Sequence, residues 1–314
     1  MAENYLVTGG AGFIGSHVVD HLISSGKTPV VVDNLSSGKI ENLDPRALFY
    51  EQDITDQEMM ERVFMLHRPT VLFHLAAQIS VSRSVREPEE DAMVNIIGSL
   101  RLLKIAAKYG LKKVIFSSTG GAIYGDDVKR IPTDEEELPK PLSPYGIAKY
   151  ATENYLRFFS SELGIKYTVL RYANVYGPRQ DPYGEAGVVA IFSERMLHNQ
   201  EVVIFGDGEC VRDYVYVGDV ARANLLAIEK CENTVINIGT GIGTSVNELF
   251  DIMKPIAGYS REAVHKEPRP GDVKKSILNI ERARSLLGWE PSTQLERGIK
   301  ETIEYFRSGL DSSQ

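Results

Sequence analysis

Tyr5-Leu-Val-Thr-Gly-Gly-Ala-Gly-Phe-Ile-Gly-Ser16 lies at the start of the chain. Its first residues read as a buried strand, and Gly9, Gly12 and Gly15 fall where that strand turns into a helix. Each glycine has its own task. Gly9 permits the tight turn, Gly12 lets backbone approach a pyrophosphate, and Gly15 lets helix and strand pack closely. The new helix offers unpaired N–H groups and partial positive charge to phosphates. A second apolar run ends in Asp33, about 20 residues further on, where a carboxylate accepts hydrogen bonds from an adenosine ribose. Together these features read as a dinucleotide site. The charge of Asp33 repels a 2′-phosphate and no arginine directly follows it, so the expected cofactor is NAD rather than NADP.

Outward from that turn the pattern repeats. Apolar runs at residues 5–8, 30–33, 47–51, 71–75, 114–117 and 167–171 alternate with amphipathic stretches at 15–24, 59–66, 98–109 and 144–161. Strand–helix alternation at this spacing means parallel pairing, and continuous Val/Ile/Leu runs mean strands buried on both faces. After Arg171 the rhythm breaks. Residues 176–187 read as a loop, followed by a helix over 188–197, a strand over 202–205 and helices over 220–230, 245–256 and 280–287. A strand over 235–238 is placed to rejoin the main sheet. The expected fold is α/β, a doubly wound parallel (Rossmann) sheet with a smaller C-terminal α/β substrate lobe. Residues 1–175, with 213–240 returning, form the dinucleotide domain, and residues 176–212 and 241–310 form the second lobe, with the ligand cleft between them.

Bulk composition sets limits on the rest. The 314 residues suffice for a full core, and the net charge of -8 disfavours nucleic acid as a partner. The two cysteines, Cys210 and Cys231, have no metal-like spacing and read as free thiols. No apolar run is long enough to span a membrane, and no signal-like segment follows Met1, so a cytoplasmic protein with neither metal nor membrane partner is expected.

The chemistry is concentrated in Ser143-Pro144-Tyr145-Gly-Ile-Ala-Lys149. Ser143 suits an N-cap and Pro144 the first helical position. Tyr145 and Lys149 then share one helix face. A phenol is a poor base at neutral pH unless a neighbouring ammonium, the helix N-terminus and a positive nicotinamide ring favour its phenolate. Phe116-Ser117-Ser118-Thr119 carries hydroxyls to the C-terminal edge of a parallel sheet, where ligands bind. Such a set can take a proton from an alcohol while NAD takes hydride. Asp53, with Ile54, is placed to hold adenine or to cap the helix that follows. In His74-Leu-Ala-Ala77, small residues let backbone approach the cofactor, and His74 reads as a packed strand residue.

With these motifs the chain resembles the extended short-chain dehydrogenase/reductases, and among them the UDP-glucose 4-epimerases. The matching stretches are Thr8–Gly15, Asp33-Asn34-Leu35-Ser36-Ser37-Gly38, residues 117–125, Tyr145–Lys149, Arg171-Tyr-Ala-Asn-Val-Tyr-Gly-Pro178, Arg212-Asp-Tyr-Val-Tyr-Val-Gly-Asp219 and Arg269-Pro-Gly-Asp272. The resemblance implies a homodimer that binds NAD and a UDP-sugar. It makes Tyr145 the catalytic base and has Lys149 hold the nicotinamide ribose. Either Ser118 or Thr119 is then the catalytic hydroxyl, with Thr119 preferred because the run 117–125 is one residue longer than common epimerase versions. Further cofactor contacts implied are Phe13, Ile14, Leu75, Ala76, Gln78, Asn95, Ser117 and Ala173. On the substrate side the resemblance places Asn174 and Arg212 on the diphosphate, Arg269 beside them and Asp272 on the uridine ribose. Val188, Val189, Ile204 and Phe205 line the nucleotide, and Ser276 borders the sugar. A 4,6-dehydratase normally has an Asp-Glu pair after its hydroxyl, where this chain has Gly120-Gly121, and the related UDP-uronate decarboxylases tend to have a glutamate in that region. A UDP-uronate epimerase and a non-catalytic NAD sensor are the remaining readings.

Overall fold

The short Val/Ile/Leu runs become strands because helices cover both of their faces; every residue of Val30–Asp33, for instance, is buried. The computed structural model describes residues 4–183, 187–268 and 273–311. The chain begins with β1 (Tyr5–Thr8), α1 (Phe13–Ser24), β2 (Val30–Asp33), β3 (Leu48–Glu51), α2 (Gln57–His67) and β4 (Val71–His74). Two short helices follow, α3 (Val81–Arg86) and α4 (Pro88–Ala92), then a π-helical stretch over Met93–Gly98 and α5 (Ser99–Lys108). β5 (Lys113–Thr119), α6 (Gly120–Ile123), α7 (Pro144–Leu163) and β6 (Lys166–Tyr172) complete the first half.

Beyond it come β7 (Asn174–Tyr176), α8 (Val188–Leu197), β8 (Val203–Phe205), β9 (Val211–Arg212), β10 (Tyr214–Tyr216), α9 (Val217–Leu226) and β11 (Thr234–Ile238). The chain ends with β12 (Thr244–Ser245), α10 (Val246–Ala257), β13 (Val264–Lys266), β14 (Lys275–Ser276) and α11 (Leu295–Asp311). Seven parallel strands form the main sheet in the order β11-β6-β5-β4-β1-β2-β3. This is the doubly wound fold, with its switch point between β1 and β4, where a crevice opens at the carboxyl ends of the strands.

One apolar cluster, which includes the fully buried Trp289, fills the side of the sheet under α1 and α9. Another lies on the opposite face beneath α2, α5 and α7. A third joins α8, α10 and α11 through Phe192, Phe250, Leu249, Ile299 and Ile303, away from the main sheet.

Several boundaries depart from the sequence reading. β5 extends two residues past 117, so Ser118 and Thr119 enter the ladder opposite Arg171 and Tyr172. The return to the sheet is made by α9 and β11, whereas Tyr214–Tyr216 pairs with β7 in a separate ribbon. Residues 174–176, the last of which reads from sequence as the start of a loop, are a strand because β10 supplies its partner. The segment expected as a helix over 280–287 is π-helical at Ala283–Leu287, and α11 is a further helix beyond those expected. Both cysteines are free thiols. Among the described residues no helix is long and apolar enough to cross a membrane, and no His/Cys/Asp/Glu group could hold a metal ion.

Candidate active site

The glycine turn is fixed by contact distances. Gly9 has φ +71°, and a Cβ there would sit 2.6 Å from Ala76 N. At Gly15 a Cβ would lie 2.0 Å from Gly9 O, so the residue is needed for the turn to close on the helix as well as for helix–strand packing. α1 starts at Phe13 and Ile14 with Gly12 as N-cap, no side-chain cap and no acid in its first turn, which keeps its positive end available to an anion. Asp33 is buried, and its two oxygens accept from Ala11 N and Leu35 N, each at 2.9 Å. Each oxygen retains a lone pair for a ribose hydroxyl. Burial raises the Asp33 pKa, and the backbone N–H groups counter it. Gly38 packs so tightly on Asp33 that a Cβ would be 2.9 Å from its Oδ1, while Asn34, Ser36 and Ser37 stay exposed on the loop between.

Asp53 does not cap α2; Asp56 does, accepting from Met59 N. Asp53 instead binds Thr55 N and Oγ1 and Asn34 Nδ2 (2.8, 2.6 and 2.6 Å), tying the β2 and β3 loops together beside the buried Ile54. After β4, Leu75 N and Ala76 N donate to Thr8 O, which draws residues 75–77 against the glycine turn. Gln78 and Asn95 exchange bonds: Gln78 N donates to Asn95 Oδ1 and Asn95 Nδ2 to Gln78 O, both at 2.9 Å. Asn95 projects from the π-helical stretch, a geometry common at functional sites. His74 is buried between Thr8 Oγ1 and Ser99 Oγ, and burial pushes its pKa down to about 3, so it is a neutral packing residue. These residues fit a bound dinucleotide.

Beside it, at the same carboxyl edge of the sheet, Ser143 Oγ accepts from Gly146 N and Pro144 takes the first turn of α7, which fixes the azimuth of Tyr145 and Lys149. A Cβ on Gly146 would lie 2.6 Å from Ala122 O, so only glycine lets α7 approach α6 this closely. Thr119 is the N-cap of α6, accepting from Ala122 N at 3.2 Å. The α6–α7 contact therefore sets the spacing between the Thr119 hydroxyl and the Tyr145 phenol. Lys149 is buried, its Nζ donating to Ser117 O at 2.9 Å and lying 5.9 Å from the Tyr145 ring centroid.

The three hydroxyls of β5 have different fates. Ser117 Oγ meets Tyr172 OH at 3.0 Å inside the core. Ser118 Oγ donates to Glu153 Oε1 at 2.6 Å, on a carboxylate already paired with Arg171. Thr119 is the one that borders the space beside Gly121 together with Asn174: a Cβ built on Gly121 would be 4.0 Å from Thr119 Oγ1 and 3.9 Å from Asn174 Oδ1. Electrostatics differ from the sequence reading. Burial, and then the charge of Asp91, raise the Tyr145 pKa well above its ordinary value, while burial pushes Lys149 down to about 8. Without a bound cofactor the phenol is therefore held protonated.

Strand pairing gathers the residues expected on the substrate side. Ser276 lies in register with Arg212 across the β9–β14 pair. Asp213 N donates to Ser276 O, and Asp213 O accepts from Asn174 N. The Asp213 carboxylate takes Thr240 N, Thr240 Oγ1, Gly241 N and Leu278 N, so it does not pair with Arg212. Ala173, at the end of β6, donates its N–H to Ile238 O. Val189 and Ile204 are buried in the second-lobe cluster, with Val188 partly exposed at the start of α8 and Phe205 exposed beside a cavity of about 700 Å³. Arg269 and Asp272 lie outside the described residues. Sequence reasoning missed Glu153, Asp91 and Asp213; Glu153, one turn beyond Lys149 on the same face, was the one with a visible spacing signal.

Residues 5–239 match the NAD dependent epimerase/dehydratase family. Three solved structures are similar over nearly the whole chain. The UDP-glucose 4-epimerase of Thermotoga maritima, solved with UDP-glucose, is 69% identical, with TM-score 0.97 over 98% of this chain and 99% of that one. That of Thermus thermophilus, in complex with NAD, is 46% identical, with TM-score 0.93 over 97% and 99%. The UDP-N-acetylglucosamine 4-epimerase of Methanobrevibacter ruminantium, in complex with UDP-N-acetylmuramic acid, is 38% identical, with TM-score 0.92 over 98% and 100%.

Glu153 and Arg171, each 4% exposed, form a bidentate pair at 3.0 and 2.6 Å. Replacing Glu153 by Ala leaves a buried guanidinium without its anion, and the expected loss of stability in denaturant unfolding is about 3–5 kcal/mol.

Proposed function

The chain belongs to the NAD-dependent epimerase/dehydratase family, and we propose that it interconverts UDP-glucose and UDP-galactose by transient oxidation at C4. The observation that carries this reading is that Thr119 Oγ1 and Asn174 Oδ1 both border the space beside Gly121, next to the α6–α7 contact that holds the start of the helix bearing Tyr145 and Lys149, in a chain with a complete dinucleotide turn. NAD is the cofactor, and when bound it supplies the hydride acceptor, and later the donor, at C4. Tyr145 takes the C4 hydroxyl proton on its phenolate oxygen and returns it after the sugar has turned over. Lys149 and the positive charge of the oxidised cofactor favour that phenolate, which the protein alone disfavours. Thr119, rather than Ser118, hydrogen-bonds the reacting oxygen, since Ser118 is held by Glu153. Asn174 and Arg212, with Arg269, grip the diphosphate, and Asp272 the uridine ribose. Firm hold on the diphosphate with loose hold on the sugar lets either face of the C4 ketone meet the hydride.

In this reading residues 1–175 with 213–240 hold the cofactor, and 176–212 with 241–310 hold the nucleotide sugar. Gly120-Gly121 argues against dehydration: a Cβ at Gly120 would meet Leu278 Cδ1 at 2.5 Å, and Gly121 brings no acid to the space beside Thr119 and Asn174. We assign the functional unit as a homodimer joined through α7, whose Ile147, Tyr155 and Phe158 are exposed on one helical face. A charged substitution there, Phe158→Glu, is expected to halve the sedimentation mass while the wild type sediments as two copies.

The test of the activity is NMR identification of products from a panel of UDP-sugars. Tyr145→Phe should retain NAD while kcat falls at least about 10²-fold, the scale of acid–base catalysis; wild-type turnover in that variant would remove Tyr145 from the reaction.

Ser276 sets substrate width. It is partly buried and lies in register with Arg212, and in this reading so small a side chain leaves room beside the sugar for an N-acetyl group. The enzyme is expected to turn over UDP-GlcNAc/UDP-GalNAc as well. Ser276→Tyr should suppress that pair by more than about 200-fold relative to the unmodified hexoses, beyond what a methylene difference provides. An unchanged ratio of kcat/KM values would place the gate elsewhere.

A further inference from the structure

Asp91 on α4 is a buried carboxylate that the proposed reaction does not use. It is 1% exposed. Its Oδ1 accepts from two neutral amides, Gln78 Nε2 at 2.8 Å and Asn95 Nδ2 at 2.9 Å, and its Oδ2 is buried with no hydrogen-bond partner. Among the described residues it makes no ion pair. A carboxylate buried this way is costly unless a cation faces it.

α4 packs on α7, the helix of Tyr145 and Lys149. Among the described residues the Lys149 ammonium hydrogen-bonds only the Ser117 carbonyl, a dipole and not a counter-charge. The other charged groups around them are accounted for. Glu153 is taken by Arg171 from β6. His74 on β4 is neutral. On α3, Arg83 is paired with Glu87 and Glu90, and Arg86 is exposed. Arg101, Lys104 and Lys108 of α5 and Lys113 of β5 are not among the charges that act on Tyr145 or Lys149.

We infer that Asp91 is a positioning residue of the reaction: its carboxylate is the counter-charge of Lys149, and through Gln78 and Asn95 it ties the loop after β4 to the base-bearing helix. The inference rests on Tyr145 being the base. The electrostatics agree with the geometry. After burial, Asp91 is the larger of two charges that hold the Lys149 pKa up, ahead of Glu153, and it is the charge that raises Tyr145. Burial raises Asp91 itself, and Gln78, Lys149 and Asn95 oppose the rise.

Removing the negative charge destabilises the ammonium and stabilises the phenolate, so both groups release protons at lower pH. The base must be deprotonated and the lysine protonated, so both limbs of the pH–rate profile move toward acid together. A purely structural residue would lower the profile without displacing it. Asp91→Asn keeps the size of the side chain and its ability to accept from the two amides. In the NAD-loaded enzyme, its kcat/KM profile is expected to shift by about 1–3 pH units toward acid, the scale of a nearby charge. In the substrate-free protein, tyrosinate absorbance attributed to Tyr145 by comparison with Tyr145→Phe should shift the same way, while Asp91→Glu keeps the wild-type position. Should the Asn variant not fold, Asp91→Ser carries both readings. Limbs or a Tyr145 titration that stay at the wild-type pH overturn the inference. The titration needs no substrate, so failure to epimerise any UDP-sugar would be a separate outcome.

Discussion

A carboxylate and a guanidinium meet in the interior between α7 and β6, and the reacting end of the molecule is built around their contact. Glu153 lies on the same face of α7 as Tyr145 and Lys149, and Arg171 lies in the ladder directly opposite Ser118. Ser118 donates to the same carboxylate, and Arg171 reaches on to Tyr124, which in turn donates to Asn237 on β11. One buried group thus registers a helix against three strands. A hydrophobic contact could hold these elements together equally well, but it would tolerate sliding. The directional, fully bonded pair selects one rotation of α7, and with it one place for the phenol.

For the proposed reaction, that fixed place is electrically unfavourable without the charge of an oxidised cofactor. Burial holds Tyr145 as a phenol and weakens Lys149 as an ammonium. The arrangement suits a base needed only when oxidised cofactor and substrate are both in place, since a phenolate formed earlier would be stabilised by neither. The same desolvation that raises the phenol strengthens every later charge–charge interaction in the site.

The proposed substrate side of the site is organised by backbone more than by side chains. Asp213 stands between Arg212 and the β7–β10 ribbon; its main chain holds Asn174 and Ser276, and its carboxylate collects the loop at Thr240–Gly241. The residues on the substrate side thereby share one frame, although they come from three separate parts of the chain.

The sequence alone carried whatever is written in adjacent residues. The Gly9–Gly15 turn, Asp33 at the end of β2, and the Ser143-Pro144 start that sets Tyr145 and Lys149 on one face are local, because turn geometry, capping and helical period involve only a few consecutive positions. The parallel sheet followed from the alternation of apolar runs, because burial on both faces leaves its mark on every residue of a strand. What the sequence left open depended on partners far along the chain. Which of Ser118 and Thr119 borders the space beside Asn174 is decided by Glu153, 35 residues along, which takes the Ser118 hydroxyl into the core. Asp53 becomes a loop tie because Asn34 reaches it from the β2 loop. Residues 174–176 become a strand because β10 pairs with them. Asp91 read as one more acid in a charged run, and only the packing of α4 on α7 buried it beside the ammonium. In each case the physical reason is the same: the fate of a polar side chain is set by the donors and charges that tertiary contact brings to it, and those are not encoded in its neighbours.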